Sequence, residues 1–159
     1  TSIHLVMTAI IRLIRLFPFG DSSDALADRF NEESRTEIET VRDFIILHYK
    51  QTNRTDSDFW NAYRTMDIPD SLAHRLEIFE KNGYVWADDV ALFRVDSWVQ
   101  VMMGQGLTPK GFHNAGKLTS SDSLQQSMAK IKTSIDEKIS KLPTHQQFID
   151  HYCAAPQGD

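Results

Sequence analysis

Residues able to do chemistry are spread thinly along this chain. Histidines stand at positions 4, 48, 74, 113, 145 and 151, and no two share the i, i+4 spacing that puts a pair of metal ligands on one helix face. They read as surface or capping residues. Asp88-Asp89 lies between two short apolar stretches and reads as a turn rather than an acid and base pair. Gly104-Gln105-Gly106 lets the backbone turn or approach a neighbour closely, but two glycines without a following strand and helix are not a nucleotide fingerprint. The sequence contains no phosphate loop, dinucleotide glycine motif or nucleophile elbow. The most suggestive place is the very start. A helix N-terminus presents unpaired backbone N–H groups and the positive end of the helix dipole, so Thr1 and Ser2 form a candidate anion site, with a simple N-cap as the plainer alternative.

The element that must present that site is the stretch from Thr1 to Phe17. At roughly 100° per residue, His4, Thr8, Arg12 and Arg15 fall in one wedge of about 80°, and the rest of the surface from Ile3 onward is apolar. Such a helix is expected to be buried almost all round. It is too short for a membrane span, reaching about 22 Å against a hydrocarbon core of about 30 Å, and two arginines interrupt it. It also lacks the basic start and small-residue cleavage site of a signal peptide. A chain that opens directly into a core helix is expected to be the later part of a larger protein.

The 159 residues allow one domain, and 41% hydrophobic with 25% charged residues is an ordinary globular balance. With a net charge of −5 and no lysine or arginine cluster, the footprint that nucleic-acid binding needs is missing. A single cysteine, Cys153, excludes an internal disulfide and a cysteine-built zinc site and fits a reducing compartment, so a cytoplasmic location is expected. Asn53-Arg54-Thr55 matches a glycosylation sequon by chance.

Past the breaker-rich residues 18–24, a long helical pattern runs to about Lys50. Ser34 with Glu37, or Thr36 with Glu39, could cap a break within it. Consecutive Phe44, Ile45, Ile46 and Leu47 predict a turn enclosed on all sides and packed on the first helix. Phe59, Trp60 and Tyr63 on a short helix read as an anchor under a loop. Another helix starts at Ile68-Pro69-Asp70-Ser71, turns Leu72, Leu76 and Phe79 inward and stops at Asn82-Gly83. Tyr84-Val85-Trp86 and Ala91-Leu92-Phe93 predict a small β-hairpin. Asp96 and Ser97 cap a helix to Met103. An amphipathic surface helix carries Leu124, Met128, Ile131, Ile135 and Ile139, and a last helix, capped by Thr144 and Gln147, buries Phe148, Ile149 and Tyr152.

Several stretches form an ordered set: Thr1-Ser2-Ile3-His4, Arg42-Asp43-Phe44-Ile45 with His48-Tyr49, Phe59-Trp60, Ile68-Pro69-Asp70-Ser71-Leu72, and Asp96-Ser97-Trp98 through Gly104-Gln105-Gly106. In this order and spacing they resemble the C-terminal part of the flavin-dependent tryptophan halogenases, from Thr1 to about Cys153. The resemblance implies a mainly α chain, the helical substrate-side module of a flavin-monooxygenase-like α/β fold, with the one small hairpin. It also implies FAD, reduced by a separate flavin reductase and bound mainly by an N-terminal part upstream of Thr1. In that family, reduced flavin and oxygen convert chloride or bromide into hypohalous acid. The acid travels through a tunnel to an aromatic substrate, where a lysine and a glutamate position the electrophile. Both of those residues are expected upstream, so no catalytic residue is assigned here and the segment alone is expected to be inactive.

Thr1 matches the threonine of the family's Pro-Leu-Glu-Ser-Thr-Gly stretch and Ser2 stands at its glycine, so the resemblance makes these two backbone positions the halide site. Free-tryptophan halogenases carry a longer aromatic insertion where this chain has a short connection from Gly83 to Asp96. Leu92-Phe93 is the nearest match to their Phe-Trp pair, and Phe93 could stack on an indole. The clamp for the amino and carboxylate groups is not visible. An indole-type substrate other than, or looser than, free tryptophan is therefore expected, with no nucleic-acid or membrane partner. The alternative is a non-catalytic helical interaction module whose first helix docks on a partner.

Overall fold

Helical periodicity governs almost every ordered stretch. A computed structural model describes residues 1–20, 24–87 and 91–153. Among these are seven α-helices: α1 (Ser2–Leu16), α2 (Asp24–Lys50), α3 (Asp58–Thr65), α4 (Asp70–Asn82), α5 (Val95–Gly104), α6 (Ser121–Ile139) and α7 (His145–Tyr152), with a 3-10 turn at Asn114–Leu118. The chain divides into two compact units, Thr1–His113 and Asn114–Asp159.

In the first unit the core gathers Phe44 and Leu47 of α2, Leu72 and Phe79 of α4, Trp98 and Met102 of α5, and Val85 from the α4–α5 connection. Asp43 is buried beside it. The Ser71 hydroxyl donates to one of its carboxylate oxygens at 2.5 Å, and Arg42 donates to the other at 2.7 and 2.9 Å, so a satisfied buried charge ties α2 to α4. α4 ends as its sequence predicts. Gly83 takes φ 72, a left-handed conformation open to glycine, and its N–H closes on the Phe79 carbonyl. Gly111 answers to closeness instead, because a Cβ there would stand 2.6 Å from the Lys81 carbonyl oxygen.

α2 runs unbroken. Its internal hydroxyls serve other bonds: Ser34 accepts from Arg12, Thr36 donates to the Glu32 carbonyl and Thr40 to that of Thr36. α1 is not buried all round as expected: none of its residues is buried, and Ile3 is 79% and Ile14 62% exposed. The reason is electrostatic. α1 turns its polar wedge toward α2, where Arg12 meets Glu37 at 2.8 Å and Glu33 at 3.3 Å, and the Thr8 hydroxyl lies 2.9 and 3.1 Å from the two Glu37 oxygens. Ile3, Val6, Ile10, Leu13 and Ile14 are left facing outward. The Phe44–Leu47 turn accordingly packs on α4 and α5 rather than on α1, and Ile45 is exposed.

The expected hairpin is absent from the described residues: neither Tyr84-Val85-Trp86 nor Ala91-Leu92-Phe93 is a strand, and the intervening 88–90 lie outside them. One residue of each triplet packs into or against the helical core, Val85 from the first and Phe93 from the second. Val85 enters the core and the Trp86 carbonyl is taken by the Arg75 side chain, which leaves no ladder to form.

In the second unit the capping box is complete. Thr144 Oγ1 accepts from the Gln147 N–H at 3.2 Å and the Gln147 side chain accepts from the Thr144 N–H at 2.8 Å. α7 does not bury Phe148 and Tyr152 as expected; the two rings pack on each other at 4.8 Å and stay exposed, as does the apolar stripe of α6.

Two outcomes follow from this packing. Leu47→Ala, opening a fully buried site, should lower the stability of the first unit by about 2–5 kcal/mol, read by chemical denaturation. The chain by itself should self-associate through α1, since each exposed aliphatic side chain gains roughly 1.5–3 kcal/mol on burial. Ile10→Glu with Ile14→Glu should lower that association in light scattering.

Candidate functional site

Two features of the first unit meet the chemistry the sequence raised. The first is the start of α1. The Thr1 carbonyl accepts the first helical bond, from the Leu5 N–H at 3.0 Å, while the Thr1 side chain makes no cap and the first turn holds no acidic residue. The leading N–H groups, Ser2 among them, stand at the positive end of the helix. His4 lies 3.9 Å from Glu37, and Arg12 reaches back to Glu33 and Ser34, so α1 runs antiparallel to α2. Its N-terminus therefore points along α2 toward the half that carries Phe44, two turns or about 10 Å beyond Glu37.

The second feature is the connection from α4 to α5, whose two arms rest on one buried ring. Phe93 stacks on Phe44 with centroids 3.9 Å apart and planes 23° apart, and Phe44 meets Trp98 edge-on at 4.9 Å. In the other arm Trp86 lies against the Arg75 guanidinium at 4.2 Å, and the same guanidinium sits 4.3 Å from Trp98. Tyr84 stacks on Trp86 and is 57% exposed. Phe93 has one face committed to Phe44 and is half-buried, which leaves at most one face for a substrate ring. Arg75 is the residue that reading the sequence missed. The signal was present: it stands three residues after Leu72 and four before Phe79, a cation on the inward stripe of α4.

A third cluster gathers Tyr49, Phe59, Trp60 and Tyr63, with Trp60 stacked on Tyr49 at 5.9 Å. It borders an open groove of about 480 Å³ lined by Ile45, His48, Tyr49, Thr52, Arg54 and Trp60. The rings are not sealed under a loop, since Phe59 is 51% exposed. Arg54 lies over Trp60 at 4.6 Å and grips Asp56 with two bonds of 2.6 and 3.0 Å. Those bonds, and after them a backbone bond to Asp56, hold the Asp56 carboxyl below its ordinary value, and the same side-chain bonds raise the Arg54 guanidinium.

Gly104-Gln105-Gly106 closes the C-terminal end of α5. The N–H groups of Gln105, Gly106 and Leu107 are spent on the carbonyls of Val101, Met103 and Met102. A phosphate needs free N–H donors, so this glycine turn does not fit the pyrophosphate of a dinucleotide. Among the described residues no group of three His, Cys, Asp or Glu side chains could hold a metal, and no helix is long and apolar enough to cross a membrane.

Residues 1–121 match the sequence model of the family described as tryptophan halogenase. This chain belongs to the tryptophan halogenase family. Over 155 residues it is 24% identical to the 7-chloro-L-tryptophan 6-halogenase KtzR of Kutzneria sp. (strain 744), covering 94% of this chain and 30% of that protein. Among solved structures it is similar to Xcc4156, a flavin-dependent halogenase from Xanthomonas campestris. That likeness has a TM-score of 0.89 and 38% identity, over 99% of this chain and 32% of that one. BrvH, a flavin-dependent halogenase from Brevundimonas sp. BAL3, follows with a TM-score of 0.85 and 35% identity, over 94% of this chain and 30% of that one. The chain thus spans about a third of the length of these halogenases.

The Arg54–Asp56 grip gives this halogenase segment a pH response with a definite sign. A depressed carboxyl holds its contact above the ordinary carboxylate range and loses it as pH falls through the lowered value. Trp60 emission should therefore change on acidification below about pH 4, and Asp56→Asn should remove that step from the titration.

Proposed function

We propose that this chain is the C-terminal, substrate-side part of a flavin-dependent halogenase that chlorinates or brominates an indole-type aromatic. The observation that carries this reading is the likeness to a flavin-dependent halogenase along 99% of the chain at 38% identity, joined to a family match over residues 1–121. Reduced FAD, delivered by a separate flavin reductase, supplies the oxygen chemistry when bound. It belongs mainly to an N-terminal flavin-binding part, as do the lysine and glutamate that position the electrophile. A cytoplasmic setting goes with that reductant.

This chain's own residues do three things in that scheme. The N–H groups at Thr1 and Ser2 hold the halide by the positive end of α1, which bears no acidic residue in its first turn to repel an anion. Ser2 adds a side chain where the family has glycine and leaves the backbone donor in place. The outward apolar face of α1 packs against the flavin-binding part and keeps water from the reacting halide. Phe93 offers its remaining face to the substrate ring, held at a fixed height by Phe44. The short α4–α5 connection favours an indole lacking the free amino-acid clamp.

The test uses the full-length enzyme with reduced FAD, oxygen and either halide, and a panel running from indole to free tryptophan. Halogenated indole, seen as the mass shift of one chlorine or bromine, is the expected product. No halogenated product with either halide would overturn the activity, and strong preference for tryptophan over indole would overturn the substrate class.

A further inference from the structure

We infer that Arg75 is a positioning residue for the aromatic substrate, acting through Trp86; this rests on the reading of the α4–α5 connection as the substrate side. Its guanidinium lies between two indoles, 4.2 Å from the Trp86 centroid and 4.3 Å from that of Trp98, and also donates to the Trp86 backbone carbonyl. Trp98 is fully buried in the core, with Phe44 against its ring. The contact therefore transfers the position of a fixed ring to a connection that has no strand ladder of its own among the described residues. Phe93 is referenced to the same ring through Phe44, so both arms take their height from Trp98.

The arrangement is specific to arginine. A planar guanidinium stacks on two faces while its edge donates to a carbonyl, whereas a lysine ammonium is a compact point charge that can satisfy only part of this. Loosening Arg75 releases the Trp86 ring and carbonyl, and with them Tyr84 stacked beyond, while Val85 stays in the core. The start of α1 belongs to a different element and keeps its N–H groups. A substrate ring would then meet a surface that must be ordered on binding, a cost that falls on substrate affinity and not on formation of the halogenating species.

The experiment compares Arg75→Lys and Arg75→Met in the full-length enzyme, with Ser71→Ala as a stability control that breaks the bond to Asp43 between α2 and α4. Both Arg75 variants should raise KM for the aromatic substrate about fivefold to tenfold, with kcat within about twofold and the halide KM unchanged. Tryptophan emission should shift in both, and Arg75→Lys keeps the comparison available if Arg75→Met folds poorly. Ser71→Ala should lower Tm and leave KM alone. An equal KM rise in Ser71→Ala would assign the effect to general loosening and overturn the inference. If Phe93→Leu raises KM while both Arg75 variants do not, the role of Arg75 falls and the substrate side stands. If none of the three raises KM, the reading of the connection falls and takes Arg75 with it.

Discussion

The buried indole of Trp98 is the point to which the first unit is referenced. α5 delivers it to the centre, Phe44 of α2 meets its edge, Arg75 of α4 covers its face, and through those two side chains both arms of the α4–α5 connection are held. Its Nε1–H finds no acceptor among the described residues, which costs about 1–3 kcal/mol in an apolar setting. The ring packing and the guanidinium contact offset that cost by burying the largest side chain of the core. Arg75 adds a hold on the ring and carbonyl of Trp86 to a connection that Val85 and Phe93 also anchor. Without a ladder, a segment of this kind takes its conformation from what its side chains rest on.

A second constraint works in the opposite sense. The ion network of Arg12 with Glu33 and Glu37 fixes which side of α1 faces α2, and so which side faces away. An apolar seam would have hidden Ile10 and Ile14 and left the arginine outside. The polar seam instead presents a continuous aliphatic face, while the antiparallel path points the helix start toward the Phe44 half of α2. The same few contacts thus set the direction in which α1 begins and the exposure of its aliphatic face.

Much of this was legible in the sequence where one short stretch decides its own structure. Gly83 as a helix stop, the Thr144–Gln147 capping box and the inward Leu72 and Phe79 depend on neighbours within four residues, and the structure has all of them. Misreadings came where a distant partner chooses. The hydrophobicity of α1 says how much surface wants burial but not whether this chain supplies the cover, and Glu37 on α2 settled the orientation. Tyr84-Val85-Trp86 reads as a strand because aromatic and β-branched residues favour strands, yet they equally suit a segment plugged into helical gaps. Arg75 was passed over because a lone arginine on a helix is usually solvated, and only the two rings, 11 and 23 residues along the chain, give it a role.

The distribution of chemistry follows from the same geometry. The turn at Gly104-Gln105-Gly106 has its N–H groups spent on closing α5. Two separate side-chain networks instead hold the start of α1 and the half-buried ring of Phe93. Those networks meet on α2, where Glu37 anchors the helix end and Phe44 anchors the ring, so a single rigid helix sets the distance between the two. α2 runs as one helix from Asp24 to Lys50 and so carries both contacts.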